Sequence, residues 1–178
     1  PRLYIHKDIA DEFLSRMVPL AKAINIGDPL LEETQMGPLC TIGQMNCVEE
    51  EVARAISEGG TVLCGGKRPE GMTGNYYEPT IVDCPRQDMH IVDTEMFGPV
   101  LSVLRFKDEE EVIQLANDTA HGLAAGIFTK DSAKSLRVAK AVQAGIVWVN
   151  TYRVVSPIAE FGGVKGSGYG RESGTVTY

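Results

Sequence analysis

Val100-Leu101-Ser102-Val103-Leu104-Arg105-Phe106 reads as a β-strand, and the elements that come after it set the fold class. Asp108 with Glu111 forms a helix-start signal ahead of Val112, Ile113, Leu115 and Ala116, because a side-chain oxygen three residues back can satisfy an orphan amide. Gly122 to Thr129 has the composition of a buried strand. Asp131 then caps a helix carrying Ala133, Leu136, Val138, Ala139 and Val142, and Gly145 to Val149 is a further apolar strand. The order strand, helix, strand, helix, strand favours an α/β layer with parallel pairings and right-handed crossovers.

Outward from that segment, toward the start, Leu3-Tyr4-Ile5 is strand-like. Ile9, Phe13, Met17, Leu20 and Ile24 recur at three- and four-residue spacing, which predicts an amphipathic helix that Pro19 kinks or shortens. Asp28-Pro29 and Gly37-Pro38 mark 25–39 as a loop. Thr41 and Gln44 have capping-box spacing, with two amides satisfied reciprocally, and Glu50, Arg54 and Glu58 can pair along the exposed face of the helix they open. Gly59-Gly60 stops that helix. Thr61 to Cys64 and Tyr76 to Val82 read as strands separated by a turn-rich excursion. Beyond Thr151 the chain is glycine-rich, with no helix or strand pattern.

Composition narrows the function. The chain has 178 residues, 43% of them hydrophobic, with 17 basic against 24 acidic residues and a net charge of −7. The length fits one domain with a real core. The acidic balance repels phosphate backbones, which argues against nucleic acid as a partner. No apolar run approaches the roughly 18 residues of a membrane span. Cys40, Cys47, Cys64 and Cys84 form no CxxC pair, and His6, His90 and His121 lie far apart, so no metal site is expected. A reduced, cytoplasmic chain is expected rather than a disulfide scaffold. The opening Pro-Arg-Leu-Tyr, without Met and straight into a strand pattern, reads as a piece of something longer.

Cys47 falls inside an amphipathic helix, Cys64 in a strand, and Cys40 and Cys84 in loops next to no basic motif, so buried or incidental thiols are expected. Cys64-Gly65-Gly66-Lys67-Arg68 fails as a phosphate loop, since Thr61 stands where the first glycine belongs and Arg68 replaces Ser or Thr. Gly162 to Arg171 has many glycines, but no strand leads in and no helix leaves, so spacing favours a tight-turn loop. Glu95-Met96-Phe97-Gly98-Pro99-Val100 stands out. In an extended segment Glu95 and Phe97 point the same way. A carboxylate suits vicinal hydroxyls such as those of a ribose, and an aromatic ring can pack on a flat heterocycle. A loop glutamate beside a core phenylalanine is the plainer alternative on these residues alone.

That segment resembles the Glu-x-Phe-Gly-Pro signature of the aldehyde dehydrogenase superfamily. Gly27-Asp28-Pro29, Met36-Gly37-Pro38, Tyr77-Glu78-Pro79-Thr80, Ala116-Asn117-Asp118, His121 to Ala125, Val147-Trp148-Val149-Asn150, Phe161 to Lys165 and Gly170-Arg171-Glu172 succeed one another in the family's order. Each is weak alone; together, in order and across the whole chain, they are specific. The resemblance implies a Rossmann-like three-layer open sheet, mostly parallel, with flanking helices. It implies the C-terminal part of the catalytic domain, with residues 1–150 its main part and 151–178 a substrate-entrance loop and tail of the same domain. It also implies oxidation of an aldehyde substrate to a carboxylic acid with NAD or NADP, through a cysteine thiohemiacetal and thioester. The nucleophile and general base would lie upstream of Arg2, so the chain holds no catalytic residue and would be inactive alone. Glu95 would bond the nicotinamide ribose, with Phe97 and Leu123 near the nicotinamide and Gln44 on the cofactor side. Cys47 replaces a lysine used by some members. Phe161 and Val155 would line the substrate tunnel, beneath a loop from Tyr152 to Ala159, and Glu160 stands where proline is usual. The intact parent would be a homo-oligomer, dimer or tetramer. The alternative is a standalone, non-catalytic binding or assembly module of the same fold. The encoding sequence upstream discriminates the two.

Overall fold

The computed structural model describes residues 1–174; the last four residues of the expected 151–178 tail lie outside that range. The described chain divides into two compact units, Pro1–Lys107 and a second that begins at Asp108.

The first unit is built on a four-stranded sheet. Its strands are β1 (Arg2–His6), β2 (Thr61–Cys64), β3 (Thr80–Asp83) and β4 (Val100–Phe106), in the order β1-β4-β3-β2. β4 pairs in parallel with both β1 and β3, and β2 closes the far edge antiparallel to β3. Side chains alternate across this sheet and are claimed by two separate cores. Val82, Val100 and Leu104 join Val48, Val52 and Ala55 of α2 (Ile42–Ser57) and Ile91 and Val92 of α3 (His90–Asp93). Ile5, Ile81 and Val103 join Ala10 and Leu14 of α1 (Ala10–Lys22) on the opposite face. Helices therefore cover both faces, which gives three layers in an α/β, mostly parallel arrangement. Each fully buried aliphatic chain contributes about 1.5–3 kcal/mol.

Local chemistry sets several boundaries. Thr41 Oγ1 accepts from Gln44 N at 3.1 Å and starts α2. Gly59, at φ 98°, ends it in a left-handed turn that other residues resist. Asp108 accepts from Glu111 N at 2.9 Å and Asp131 from Lys134 N at 3.0 Å. These start α4 (Glu109–Asn117) and α5 (Ser132–Ala141) of the second unit. There β5 (Ala124–Ile127) and β6 (Ile146–Val149) pair in parallel, register Ala124 with Ile146, and α5 connects them.

The structure corrects several expectations. β4 pairs with β1 and β3, so the alternating segment is not one continuous sheet. The expected apolar stripe of α1 is only partly the buried one: Ile9, Phe13 and Leu20 are exposed, Met17 packs against the core, and Ala10 and Leu14 complete the face turned to the sheet. Pro19 does not end α1, which runs to Lys22. β3 begins at Thr80 rather than Tyr76. β5 is shorter than 122–129 and only half covered, because a two-stranded sheet has little to bury it. The one-turn helix α3 carried no periodic signal, being shorter than one amphipathic repeat.

The glycine-rich tail is a packed clasp. A Cβ on Gly145 would lie 1.7 Å from the carbonyl oxygen of Gly162, so two backbones touch there. Phe161 and Glu172 exchange backbone hydrogen bonds of 2.8 Å, and Arg171 Nη1 donates to Gly163 O at 2.7 Å. Val164 N donates to Gly122 O and Gly166 N to Ala120 O. Lys165 Nζ donates to Asn117 O at 2.6 Å, placing a cation on the carbonyl end of α4, where the helix dipole favours it. Amides spent this way cannot cradle a phosphate. Likewise Gly66 N is taken by Thr80 Oγ1, and the guanidinium of Arg68 forms a two-point bridge to Glu49.

Candidate functional site

Glu95 to Pro99 joins α3 to β4, and three contacts hold it. Gly98 N bends back to Met96 O at 2.9 Å, and Thr80 N donates to Pro99 O at 2.8 Å, continuing the β3–β4 ladder. The side-chain amide of Gln44 donates to the carbonyl of Phe97. It does not return to Thr41 N, so only one half of the expected capping box forms. A Cβ on Gly98 would come within 2.5 Å of Val48 Cγ2, and Val48 is fully buried. Only glycine lets the segment lie this close to α2.

The result is an open cleft of about 350 Å³ lined by Gln44, Cys47, Val48, Glu95, Met96 and Phe97. Gln44, Cys47 and Val48 share one face of α2 by their three- and four-residue spacing. Phe97 is 71% exposed, so it is not the core phenylalanine of the plainer reading. An aromatic ring left in water beside a carboxylate is a surface awaiting a partner with a flat apolar face. Sequence reasoning missed Val48 and Met96 as lining residues, although the helical spacing from Gln44 made Val48 findable.

The cleft lies at the amino ends of the parallel strands, since the Glu95 segment runs into the start of β4. Ligands of open α/β sheets usually sit beyond the carboxyl ends. The backbone entering β1 is close by, since Pro1 O accepts from Ser102 N of β4 at 3.2 Å.

The thiols divide sharply. Cys64 and Cys84 are buried, and Cys40 and Cys47 are exposed. Burial pushes Cys84 up to about 11 and raises Cys64 as well, which keeps both protonated and unreactive. Among the described residues no thiol is hydrogen-bonded to a histidine, and no group of three His, Cys, Asp or Glu side chains could hold a metal ion.

Leu123, Val155 and Phe161 belong to the second unit. Leu123 is 44% and Val155 63% exposed, and Phe161 is partly buried in its bridge to Glu172. Trp148 steadies the 152–159 loop: its ring packs edge-on to Tyr152 at 5.2 Å, and Nε1 donates to Val154 O at 2.8 Å. No helix among the described residues is long and apolar enough to cross a membrane.

Comparison with known proteins identifies the family. The model of the aldehyde dehydrogenase family matches residues 1–178. A (Z)-2-((N-methylformamido)methylene)-5-hydroxybutyrolactone dehydrogenase of Acinetobacter baylyi is 47% identical over 97% of the chain, which spans 36% of that protein. A chloroplastic betaine aldehyde dehydrogenase of Atriplex hortensis is 47% identical over 97% of the chain and 35% of its own length. PnpE of Pseudomonas sp. WBC-3, solved alone and with nicotinamide adenine dinucleotide, superposes with a TM-score of 0.94. It is 45% identical over 97% of this chain and 36% of its own. The chain thus spans about a third of the length of these relatives.

Proposed function

The chain belongs to the aldehyde dehydrogenase family, and we propose that it supplies the nicotinamide-facing and substrate-facing surfaces of an NAD(P)-dependent enzyme that oxidises aldehydes to carboxylic acids. One observation carries this reading: Glu95, Phe97 and Gln44, singled out by resemblance, line a single cleft in which the aromatic ring is exposed. Residues 1–150 form the main part of the catalytic domain, and 151–178 the loop over the substrate entrance and its tail.

The residues present fit a nicotinamide nucleotide. A carboxylate such as that of Glu95 can accept from vicinal ribose hydroxyls. The exposed ring of Phe97 offers a flat apolar face. Gln44 holds the carbonyl of Phe97 and so fixes the ring's height above α2. When bound, the nucleotide supplies the hydride-accepting chemistry. Val155 and Phe161 contribute apolar surface to the aldehyde side. By the family resemblance the reactive thiol and the general base lie upstream of these 178 residues; two of the four cysteines are sealed in cores, and among the described residues neither exposed thiol is hydrogen-bonded to a histidine. The intact enzyme is a cytoplasmic dimer or tetramer using NAD or NADP.

The test is Glu95→Gln in the full-length protein encoded with this chain. Loss of a charge-assisted bond of about 1.5–3 kcal/mol slows hydride transfer or changes cofactor release by roughly 10- to 100-fold. Unchanged values for both steps remove Glu95 from the site. Aldehyde-dependent reduction of NAD by the 178-residue chain alone would overturn the placement of the thiol.

A further inference from the structure

The Glu95 segment comes directly after α3, and α3 is a single turn of four residues. One turn is not self-supporting, because nucleation fixes several residues for one hydrogen bond. Something else must hold it, and part of the holding is apolar: Ile91 and Val92 are each 3% exposed. The rest is polar and converges on His90. Its backbone amide donates to Glu58 Oε2 at 2.9 Å. Its Nδ1 lies 2.6 Å from Glu51 Oε2. A carboxylate can only accept at that distance, so Nδ1 carries the proton and donates. Glu51 is a well-covered partner, with a side chain only 13% exposed against 39% for His90. The Thr94 hydroxyl lies 3.0 Å from Nδ1 and 3.3 Å from Nε2; with the Nδ1 proton given to Glu51, it bonds the ring by donating to Nε2, and Thr94 N donates to His90 O at 2.9 Å. Thr94 is the residue immediately before Glu95.

We propose that His90 is a positioning residue: clamped to Glu51 of α2 and bonded to Thr94, it sets where the Glu95 carboxylate stands relative to the face of α2 that carries Gln44 and Cys47. This rests on the reading of Glu95 as a ribose anchor. α2 supplies one wall of the cleft and the 95–97 segment the other. The amino-terminal part of α2 already grips the far end of that segment, through Gln44 on the carbonyl of Phe97 and Val48 against Gly98. His90 and Glu51 grip its near end. With both ends tied to one helix, the carboxylate is held against a fixed wall before any ligand arrives, which reduces the ordering cost on binding. Glu58 completes the arrangement from the C-cap of α2: Arg54 Nε donates to its Oε1 at 2.9 Å while its Oε2 takes the His90 amide.

Two variants separate positioning from bulk. In His90→Asn the side-chain amide nitrogen takes the place of Nδ1 and can still donate to Glu51; in His90→Leu nothing donates. Amide hydrogen exchange of 94–98 in this chain is the first readout. His90→Leu should speed it about tenfold or more relative to protection of β4, and His90→Asn should restore most of the protection. Thr94→Val gives a second test in a chain whose Glu51 contact is intact, and it should loosen the same amides. The second readout is the KM for NAD(P) in the full-length protein. His90→Leu should raise it several-fold with a smaller change in kcat, and should add nothing once Glu95→Gln is present, because both act through one carboxylate. Unchanged exchange of 94–98 in both His90→Leu and Thr94→Val overturns the proposal, as does a cofactor effect that adds fully to that of Glu95→Gln. Faster exchange with the cofactor KM unmoved in both His90→Leu and Glu95→Gln leaves His90 as the positioning residue and overturns the ribose role of Glu95.

Discussion

Gly98→Ala tests the closest approach in the site. Gly98 has an ordinary negative-φ backbone, so alanine brings no conformational penalty, and the effect is purely steric. The new methyl would lie 2.5 Å from Val48 Cγ2, and ordinary contact begins near 3.4 Å, so something must yield by about 0.9 Å. Val48 cannot yield cheaply, because it is fully buried in one core with Val52, Tyr77 and Met89. If the loop yields instead, it pulls on the Pro99 O–Thr80 N bond and on the Gln44–Phe97 contact. Overpacking of this kind costs about 1–3 kcal/mol. With a urea m-value of about 2 kcal/mol/M, the midpoint should fall by roughly 0.5–1.5 M. Far-ultraviolet circular dichroism should track the transition, since the sole tryptophan, Trp148, sits in the other unit. Val48→Ala alone removes two methyl groups and costs about 1.5 kcal/mol plus its cavity. Combined with Gly98→Ala it opens the space the methyl needs, so the double variant should be less destabilised than the sum by about 1 kcal/mol or more. A Gly98→Ala chain within about 0.5 kcal/mol of wild type, or a strictly additive double variant, would refute the argument that Val48 dictates glycine here.

Local electrostatics and burial give two further outcomes. The His90 amide first, and Arg54 second, hold Glu58 below its ordinary value of 4.5, so the fold prefers the carboxylate. That stabilisation is complete above pH 4.5 and fades as pH falls through the lower folded value; the Tm gap between wild type and Glu58→Gln should close over that acid range, and a gap independent of pH would contradict it. Thiol titration should separate Cys40 and Cys47, labelled promptly in the native chain, from Cys64 and Cys84, labelled only on unfolding. Prompt reaction of all four would mean that the two cores open readily.

Much of this was legible in the chain itself because the signals are local. Thr41, Asp108 and Asp131 start helices through a bond to an amide three residues on, and β4 runs over the expected 100–106. Glu95 and Phe97 were identifiable as a pair from their two-residue spacing, and both line the cleft. The glycines of 162–170 were readable as turns because no strand or helix flanks them. Tertiary structure alone decided what those glycines touch, and which face of α1 is buried: Ile9, Phe13 and Leu20 carry a helical period as regular as that of Ala10 and Leu14, and only the sheet beneath chooses between them. It also decided that Phe97 stands in water rather than in a core, and that Gln44 turns to the Phe97 carbonyl, 53 residues away, rather than back to its own cap. The pairing of His90 with Glu51 spans 39 residues. No local rule reports such contacts, because they are set by where two elements meet on a sheet and not by the residues beside them in the chain.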